Sequence, residues 1–196
     1  MRPSLGYLLI GILTYLPVRL LFRLRARGVE NVPSEGGAVL AANHTSNLDP
    51  WPLGLPLFPR RWLRFMAKSE LYWFPLRYVL RAGGAFPVRR GESDTEAIEK
   101  AVKLAKGGEI VVMFPEGTRR RKGLRKKHEA RAHTGAARIA RDAGVPLVPA
   151  AIRGTDRLSR LGPFRVVYGA PVEVGEDTQE TTERLMAAIE SLEATL

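Results

Sequence analysis

The sequence predicts an α/β fold: a single domain whose mixed sheet, with parallel portions, is flanked by helices and preceded by an N-terminal helical segment at a membrane interface. Three observations predict it. The 196 residues are 45% apolar, which suits one ordered domain with a sizeable core. After Gly28, apolar runs of strand length alternate with segments of helical length. The chain also begins with a long uncharged, apolar stretch.

The N-terminal segment, residues 1–27, is predicted to form a helix that lies in a membrane interface. Leu5–Val18 carries no charge, but a membrane-spanning helix needs about 20 apolar residues, and Pro17 is expected to kink or end a helix. A signal peptide fits poorly, because no A-x-A-like cleavage site follows. The basic residues that come next suit lipid headgroups: Arg19, Arg23, Arg25 and Arg27. A core helix of a soluble domain is the alternative.

The remaining residues, 28–196, are predicted to form the globular domain. Six apolar runs are predicted strands: Ala38–Ala42, Trp62–Ala67, Gly84–Val88, Glu109–Phe114, Pro146–Ile152 and Phe164–Tyr168. Helices are predicted at about 70–81, 94–106, 135–143 and 179–194. Such alternation implies a sheet that is parallel in part, with helices packed against it.

Capping patterns predict where these helices begin and end. Ser93–Glu96 is a capping-box pattern at the start of the second helix. Gly107 and Gly144 are predicted to end the second and third helices. The last helix carries apolar residues at helical spacing, which indicates core packing: Leu185, Met186, Ile189 and Leu192.

The charge balance indicates a phosphate-bearing partner. Thirty-one Lys and Arg against 20 Asp and Glu give a net charge of +11, which suits nucleic acid, an anionic membrane or a phosphorylated substrate. The chain has no cysteine, which excludes disulfides, a thiol nucleophile and cysteine-based metal sites. Three histidines cannot fill a His-rich metal site, although one of them could transfer a proton.

A basic block extends from Arg119 to Arg131 and contains eight Lys or Arg residues against the single acid Glu129. Such a block is usually a solvated loop. As a functional element it would contact anionic lipid or an acidic carrier protein electrostatically.

The first motif, Asn43–Asp49, directly follows the apolar strand Ala38–Ala42, a position where α/β folds display functional groups. In a helix, residues five apart point about 140° away from each other, so contact between His44 and Asp49 requires a turn. Pro50 is expected to favour a turn by disfavouring the helical region for Asp49. Asp49 would then orient the imidazole for proton transfer; alternatively, it merely caps a helix begun by Pro50.

Three further motifs also end or contain predicted strands. Phe114–Arg119 places Glu116 and Arg119 around a Pro/Gly turn, where Arg119 could pair with a phosphate bidentately. Gly83–Arg89 delivers a guanidinium group to the end of a strand. Val145–Pro149 is apolar with two prolines and alone indicates only an edge or bent strand.

In chain order the four motifs are Asn43–Asp49, Gly83–Arg89, Phe114–Arg119 and Val145–Pro149. Together, and in that order, they resemble those of the glycerolipid acyltransferases, in particular the bacterial lysophosphatidic acid acyltransferase family. That family carries NHxxxxD, GxxFxxR, FPEGTR and VPxxP blocks. The resemblance covers about residues 28–170 and includes Ala67–Leu71, which is similar to the family's A-K-x-E-L stretch. One departure is His133, which stands where family members often carry a Lys.

The resemblance implies that residues 28–196 are an acyltransferase catalytic domain that moves a fatty acyl group from a thioester, on coenzyme A or acyl carrier protein, to a lysophospholipid hydroxyl. Lysophosphatidic acid would give phosphatidic acid, on the cytoplasmic face of a membrane. His44 would be the general base and Asp49 its orienting partner. Substrate contacts are expected from Asn43, Lys68, Arg89, Glu116, Gly117, Thr118 and Arg119.

The residue chemistry agrees with direct acyl transfer. No Gly-x-Ser-x-Gly elbow and no cysteine offers a nucleophile for an acyl-enzyme, whereas an imidazole can act as a base at neutral pH. No metal and no cofactor is expected.

Three alternatives stay open. A nucleic-acid-binding protein would explain the charge, but no aromatic residue lies between Arg119 and Arg131 for base stacking. A membrane-bound lipid-binding or scaffold protein would not need an oriented His44. A member of the same family could instead acylate a lysophospholipid with a larger headgroup, a glycolipid or an ornithine lipid, because the four motifs define the chemistry better than the acceptor.

Overall fold

The computed structural model describes residues 5–88, 94–117 and 133–196. The strands are β1 (Arg25–Arg27), β2 (Ala38–Ala42), β3 (Leu63–Lys68), β4 (Ala85–Val88), β5 (Ile110–Met113), β6 (Leu147–Arg153) and β7 (Arg165–Tyr168). The α-helices are α1 (Leu5–Leu21), α2 (Pro50–Gly54), α3 (Leu76–Ala82), α4 (Asp94–Lys106), α5 (Gly135–Ala143) and α6 (Thr178–Glu193). Short 3₁₀ helices span Val29–Asn31, Leu55–Leu57, Ser69–Leu71 and Thr155–Arg160.

All seven strands form one sheet in the order β1-β7-β6-β2-β5-β3-β4. Neighbouring strands are parallel, except β6 and β7, which are antiparallel. The fold predicted from the sequence, a mixed and largely parallel α/β sheet with flanking helices, is confirmed. β2 is the middle strand, and all five of its residues are buried, because it has neighbours on both edges and helices on both faces.

The core has one layer on each face of the sheet. On one face, Leu40 and Val112 pack in the same cluster as Leu53 of α2, and the Tyr168 hydroxyl donates a 2.7 Å hydrogen bond to the Leu53 carbonyl. On the other face lie side chains from α4, α5 and α6, including Ala101, Ile139, Leu185 and Ile189. The predicted core role of the last helix is thus confirmed for Leu185 and Ile189.

The predicted helix at 70–81 is wrong in its first half. The chain forms a 3₁₀ turn at Ser69–Leu71, and α3 begins only at Leu76. Pro75 explains the break, because proline disfavours the helical region for the residue before it and lacks an amide hydrogen. The predicted helix ends are confirmed: α4 stops before Gly107, and Gly144 ends α5 with a φ of 64°. Ser93 of the predicted capping box lies outside the described residues.

Residues 5–27 contain both a helix and a strand. Pro17 was expected to kink or end the helix, but α1 continues past it to Leu21. It packs onto the domain through Gly11, against the Phe58 ring, and through the buried Val18. β1 was not predicted, and it extends the sheet by pairing with β7. The proposed boundary at residue 27 stays a prediction.

Candidate active site

The loop after β2 brings His44 and Asp49 together. Residues 43–46 leave the strand without regular structure, residues 47–49 turn, and α2 begins at Pro50. His44 Nδ1 lies 2.8 Å from Asp49 Oδ2, with the His44 side chain 15% exposed and that of Asp49 fully buried. The turn that the motif requires is therefore present.

The expected backbone at Asp49 is wrong. Its φ of −51° and ψ of −41° are helical, although a following proline disfavours that region. The Asp49 carbonyl accepts a hydrogen bond from the Leu53 amide at 3.2 Å, so Asp49 already stands at the start of α2, and proline is well suited to the first helical position.

The Asp49 carboxylate is surrounded by hydrogen-bond donors. Oδ2 accepts from the Thr45 and Ser46 amides at 2.7 and 2.8 Å, and Oδ1 accepts from the Thr155 hydroxyl. Burial would raise the pKa of Asp49, but the hydrogen bonds from His44, the Ser46 backbone, Thr155 and the Thr45 backbone lower it below its ordinary value. Asp49 is therefore ionised at neutral pH.

An ionised Asp49 determines the tautomer of His44. A carboxylate can only accept hydrogen bonds, so His44 Nδ1 must carry the proton that joins them. The neutral ring then presents Nε2 as a proton acceptor. The ring also stacks on Phe114, with centroids 4.1 Å apart and an 18° angle between planes, which limits its rotation. Phe114 directly follows β5 and begins the Phe114–Arg119 motif, so this contact joins that motif to the Asn43–Asp49 motif.

The Asn43 side chain forms hydrogen bonds with other residues of the protein. Its side-chain amide donates to the Ile152 carbonyl at 3.0 Å and to Glu193 at 2.6 Å. Its oxygen accepts from the Ile152 amide at 2.8 Å, and the residue is 2% exposed. The structure thus places Asn43 between β6 and α6, where it fastens the start of the His44 loop.

The described part of the Phe114–Arg119 motif, residues 114–117, turns tightly next to His133. Gly117 has a φ of 66°, and a Cβ there would lie 2.5 Å from His133 Nε2, so only glycine fits without movement. The His133 amide donates to the Pro115 carbonyl at 2.9 Å. His133 therefore lies against the turn of this motif. Glu116, in the same turn, is half-buried.

The other predicted contacts lie at or beyond the ends of β3, β4 and β5. Lys68 is the exposed last residue of β3, in register with Val88 at the end of β4. Carboxyl ends of neighbouring parallel strands share one edge, where α/β proteins bind ligands. Arg89, Thr118 and Arg119 fall outside the described residues, as does the basic block Arg119–Arg131.

Two residues that contact the Asn43–Asp49 motif were not predicted from the sequence. Thr155, 2% exposed, binds Asp49, and Glu193 binds Asn43. Thr155 lies three residues beyond the predicted strand Pro146–Ile152, and only the pairing of β6 with β2 brings it to the loop. Nothing in the local pattern around Glu193 distinguishes it from an exposed residue of a terminal helix.

In the described ranges, no group of three or more His, Asp or Glu residues could hold a metal ion. The expectation that the protein needs no metal or cofactor stays a prediction.

The fold and the His–Asp site define an acyltransferase. Residues 23–153 match the sequence profile of the Acyltransferase family, and the chain belongs to this family. It is 34% identical over 170 residues to 1-acyl-sn-glycerol-3-phosphate acyltransferase of Bacillus subtilis (strain 168), covering 83% of this chain and 81% of that protein.

Two other similar proteins are named as acyltransferases of the same kind. The chain is 30% identical over 157 residues to the chloroplastic 1-acyl-sn-glycerol-3-phosphate acyltransferase LPAT1 of Arabidopsis thaliana, covering 78% of this chain but only 42% of that longer protein. The crystal structure of the 1-acyl-sn-glycerophosphate acyltransferase PlsC of Thermotoga maritima superposes with a TM-score of 0.69 at 25% identity. That match covers 96% of this chain and 78% of the other.

Proposed function

We propose that this protein transfers a fatty acyl group from an acyl thioester to the free hydroxyl of lysophosphatidic acid, giving phosphatidic acid for phospholipid biosynthesis. The observation that carries the proposal is the 2.8 Å contact between His44 Nδ1 and the buried carboxylate of Asp49. The relatives' activity supports the choice of acceptor.

His44 acts as the general base. Its Nε2 accepts the proton of the acceptor hydroxyl while the oxygen attacks the thioester carbonyl, forming the new C–O bond. The tetrahedral intermediate collapses by breaking the C–S bond, and the imidazolium returns its proton to the leaving thiolate. Asp49 stabilises the imidazolium between these two steps and holds Nδ1 protonated throughout.

Of the proposed substrate contacts, Lys68, Glu116 and Gly117 lie at the edge of the sheet that holds His44. Glu116 and the Gly117 backbone position the glycerol and the developing oxyanion. Arg89, Arg119 and Lys68 bind the acceptor phosphate, because guanidinium and ammonium groups form charge-assisted hydrogen bonds with phosphate oxygens. Thr118 lies between Glu116 and Arg119 and contributes to the same site.

We also propose that the protein binds one leaflet of a membrane on its cytoplasmic face. No helix within the described ranges combines the length and apolar character needed to cross a bilayer. α1 nevertheless exposes a row of large apolar side chains: Leu5, Leu9, Ile12, Leu13, Leu16 and Leu20. α3, which contacts α1, adds the exposed Tyr78 and Val79.

An apolar surface of this kind suits the hydrocarbon boundary of a leaflet, and Arg19 beside it suits anionic headgroups. The acceptor and the product both reside in a membrane, so an active site bound to its surface can exchange them without releasing them to water.

An assay of the purified protein tests the proposed reaction. Lysophosphatidic acid, other lysophospholipids, a glycolipid and an ornithine lipid are each offered with acyl-coenzyme A and with acyl-acyl carrier protein. We expect the highest kcat/KM with lysophosphatidic acid. A higher kcat/KM with an uncharged or larger acceptor would refute this choice while leaving the acyl-transfer chemistry in place.

A further inference from the structure

Three arginines lie side by side across the β1, β7 and β6 strands. Arg165 is in register with Arg25 on one side and with Arg153 on the other. Neighbouring strands are about 4.8 Å apart, and residues in register project from the same face. Like charges placed directly opposite each other destabilise a sheet. This arrangement therefore calls for a reason other than stability.

The three guanidinium groups are not neutralised by nearby acids. Within the described part of the chain, no carboxylate forms an ion pair with Arg25, Arg153 or Arg165. Arg165 Nη1 instead donates to the carbonyls of Arg23 and Phe164, both at 3.0 Å. Burial, and then the charges of Arg25 and Arg23, lower the pKa of Arg165, as expected where positive charges crowd together.

Two of these arginines, Arg153 and Arg165, border a large cleft that reaches the His44 loop. The cleft has a volume of about 1180 Å³, and its basic lining residues are Arg153, Arg157 and Arg165. Asn43 and Thr45, which flank His44 in the chain, line the same cleft. Two acids also border it: Asp156 lies 3.8 Å from Arg157 and offsets part of its charge, and Glu193 accepts the hydrogen bond from Asn43. Among the described residues, Arg153 and Arg165 are thus the lining arginines without an ion pair.

The sheet order places this cleft on the opposite side of β2 from the proposed acceptor site. Lys68, the proposed acceptor contact that the structure describes there, ends β3, whereas Arg153 and Arg165 belong to β6 and β7. His44 follows β2, between the two groups. Two separate basic regions flanking one base suit a reaction with two phosphate-bearing substrates.

We propose that the cleft lined by Arg153, Arg157 and Arg165 binds the nucleotide phosphates of a coenzyme A thioester, the acyl donor. This rests on the proposed function, because it assigns the second substrate of the same reaction. Guanidinium groups bind phosphate oxygens bidentately. The continuity of the cleft with Thr45 gives the thioester arm a path to His44.

Removing charge from the cleft tests the assignment. We expect Arg153→Gln, an exposed position, and the double variant Arg153→Gln/Arg157→Gln to raise the KM for acyl-coenzyme A, by about 5- to 50-fold in the double variant. The KM for lysophosphatidic acid should change less than about twofold. Lys103→Gln is the matched control, since Lys103 is exposed on α4 and does not line the cleft.

Two further measurements test whether the cleft binds the nucleotide phosphates of coenzyme A and not the phosphate of the acceptor. With an acyl-pantetheine thioester, which lacks the nucleotide phosphates, the variants and the wild type should have the same donor KM. Calorimetry should show coenzyme A binding to the wild type and to Lys103→Gln, and weaker binding to the double variant.

Three outcomes would overturn the assignment. They are an increase in the acceptor KM in place of the donor KM, an equal loss with acyl-pantetheine, and coenzyme A binding that is absent from the wild type or unchanged in the variants. Because calorimetry needs no turnover, it reports on the cleft even if the proposed acceptor is wrong.

Discussion

The hydroxyl of Thr155 donates a hydrogen bond to Oδ1 of Asp49, although 106 positions separate the two residues in the chain. Thr155 follows β6, and Asp49 follows β2, so the pairing of these two strands brings them together. The Thr155 oxygen also lies 2.8 Å from the Thr45 hydroxyl. The sheet itself thus holds the carboxylate that orients His44.

Thr155 is predicted to be a positioning residue. Replacement by valine keeps the shape but leaves Oδ1 of the buried carboxylate without this donor, a loss of about 1.5–3 kcal/mol. We expect Thr155→Val to lower kcat about tenfold or more without changing the acceptor KM. Thr155→Ser, which keeps the hydroxyl, should have a kcat close to that of the wild type. A serine variant as impaired as the valine variant would indicate a packing role instead.

Asp49 is predicted to make the fold sensitive to acid. Its pKa in the folded protein lies below the ordinary value of 3.8, so its stabilising contribution is complete above that value and is lost as the pH falls through the lower, folded-state pKa. Thermal melting of the wild type from pH 5 to pH 2 should therefore show a decline below about pH 4 that Asp49→Asn lacks in part. Parallel declines in the melting temperatures of the two proteins would exclude Asp49 as a source of the acid sensitivity.

Arg89 and Arg119 are predicted to hold the acceptor phosphate. Replacing either by glutamine removes a charge-assisted hydrogen bond and should raise the acceptor KM about 10- to 150-fold. The effect should be smaller with an uncharged acceptor, which has no phosphate to lose. Steady-state kinetics with both acceptors checks this, and equal losses with the two would contradict the assignment.

The exposed face of α1 is predicted to bind the membrane. Deleting residues 1–27 would also remove β1 and the buried Val18, so point changes on the exposed face give the sharper test. Ile12→Asn/Leu16→Asn should reduce cosedimentation with anionic liposomes and activity on bilayer substrate, at both low and high salt, because salt screens only the electrostatic part. Leu158→Asn, exposed elsewhere on the domain, is the control. Unchanged binding by the α1 variant would refute the prediction.

Much of the fold was predictable because its signals are local. The apolar run Ala38–Ala42 has the predicted bounds, and the spacing of His44 and Asp49 correctly required a turn. β1 was missed because Arg-Ala-Arg has only one apolar residue and becomes a strand only by pairing with β7.

The contacts that depend on tertiary packing could not be predicted. Thr155 reaches Asp49 only because β6 pairs with β2. The resemblance implies a substrate contact for Asn43, which stays a prediction, but its hydrogen-bond partners Ile152 and Glu193 lie more than 100 residues away. No local pattern contains such information.

The most direct test is the rate of acyl transfer by His44→Ala, measured with the purified protein, acyl-coenzyme A and lysophosphatidic acid. Loss of a general base should lower kcat by about 10²–10⁴, and a thermal melt should show that the variant is still folded at the assay temperature. His128→Ala, which changes a histidine of the basic block, should retain wild-type turnover. A His44→Ala enzyme with near wild-type kcat would contradict the assignment of His44 as the base.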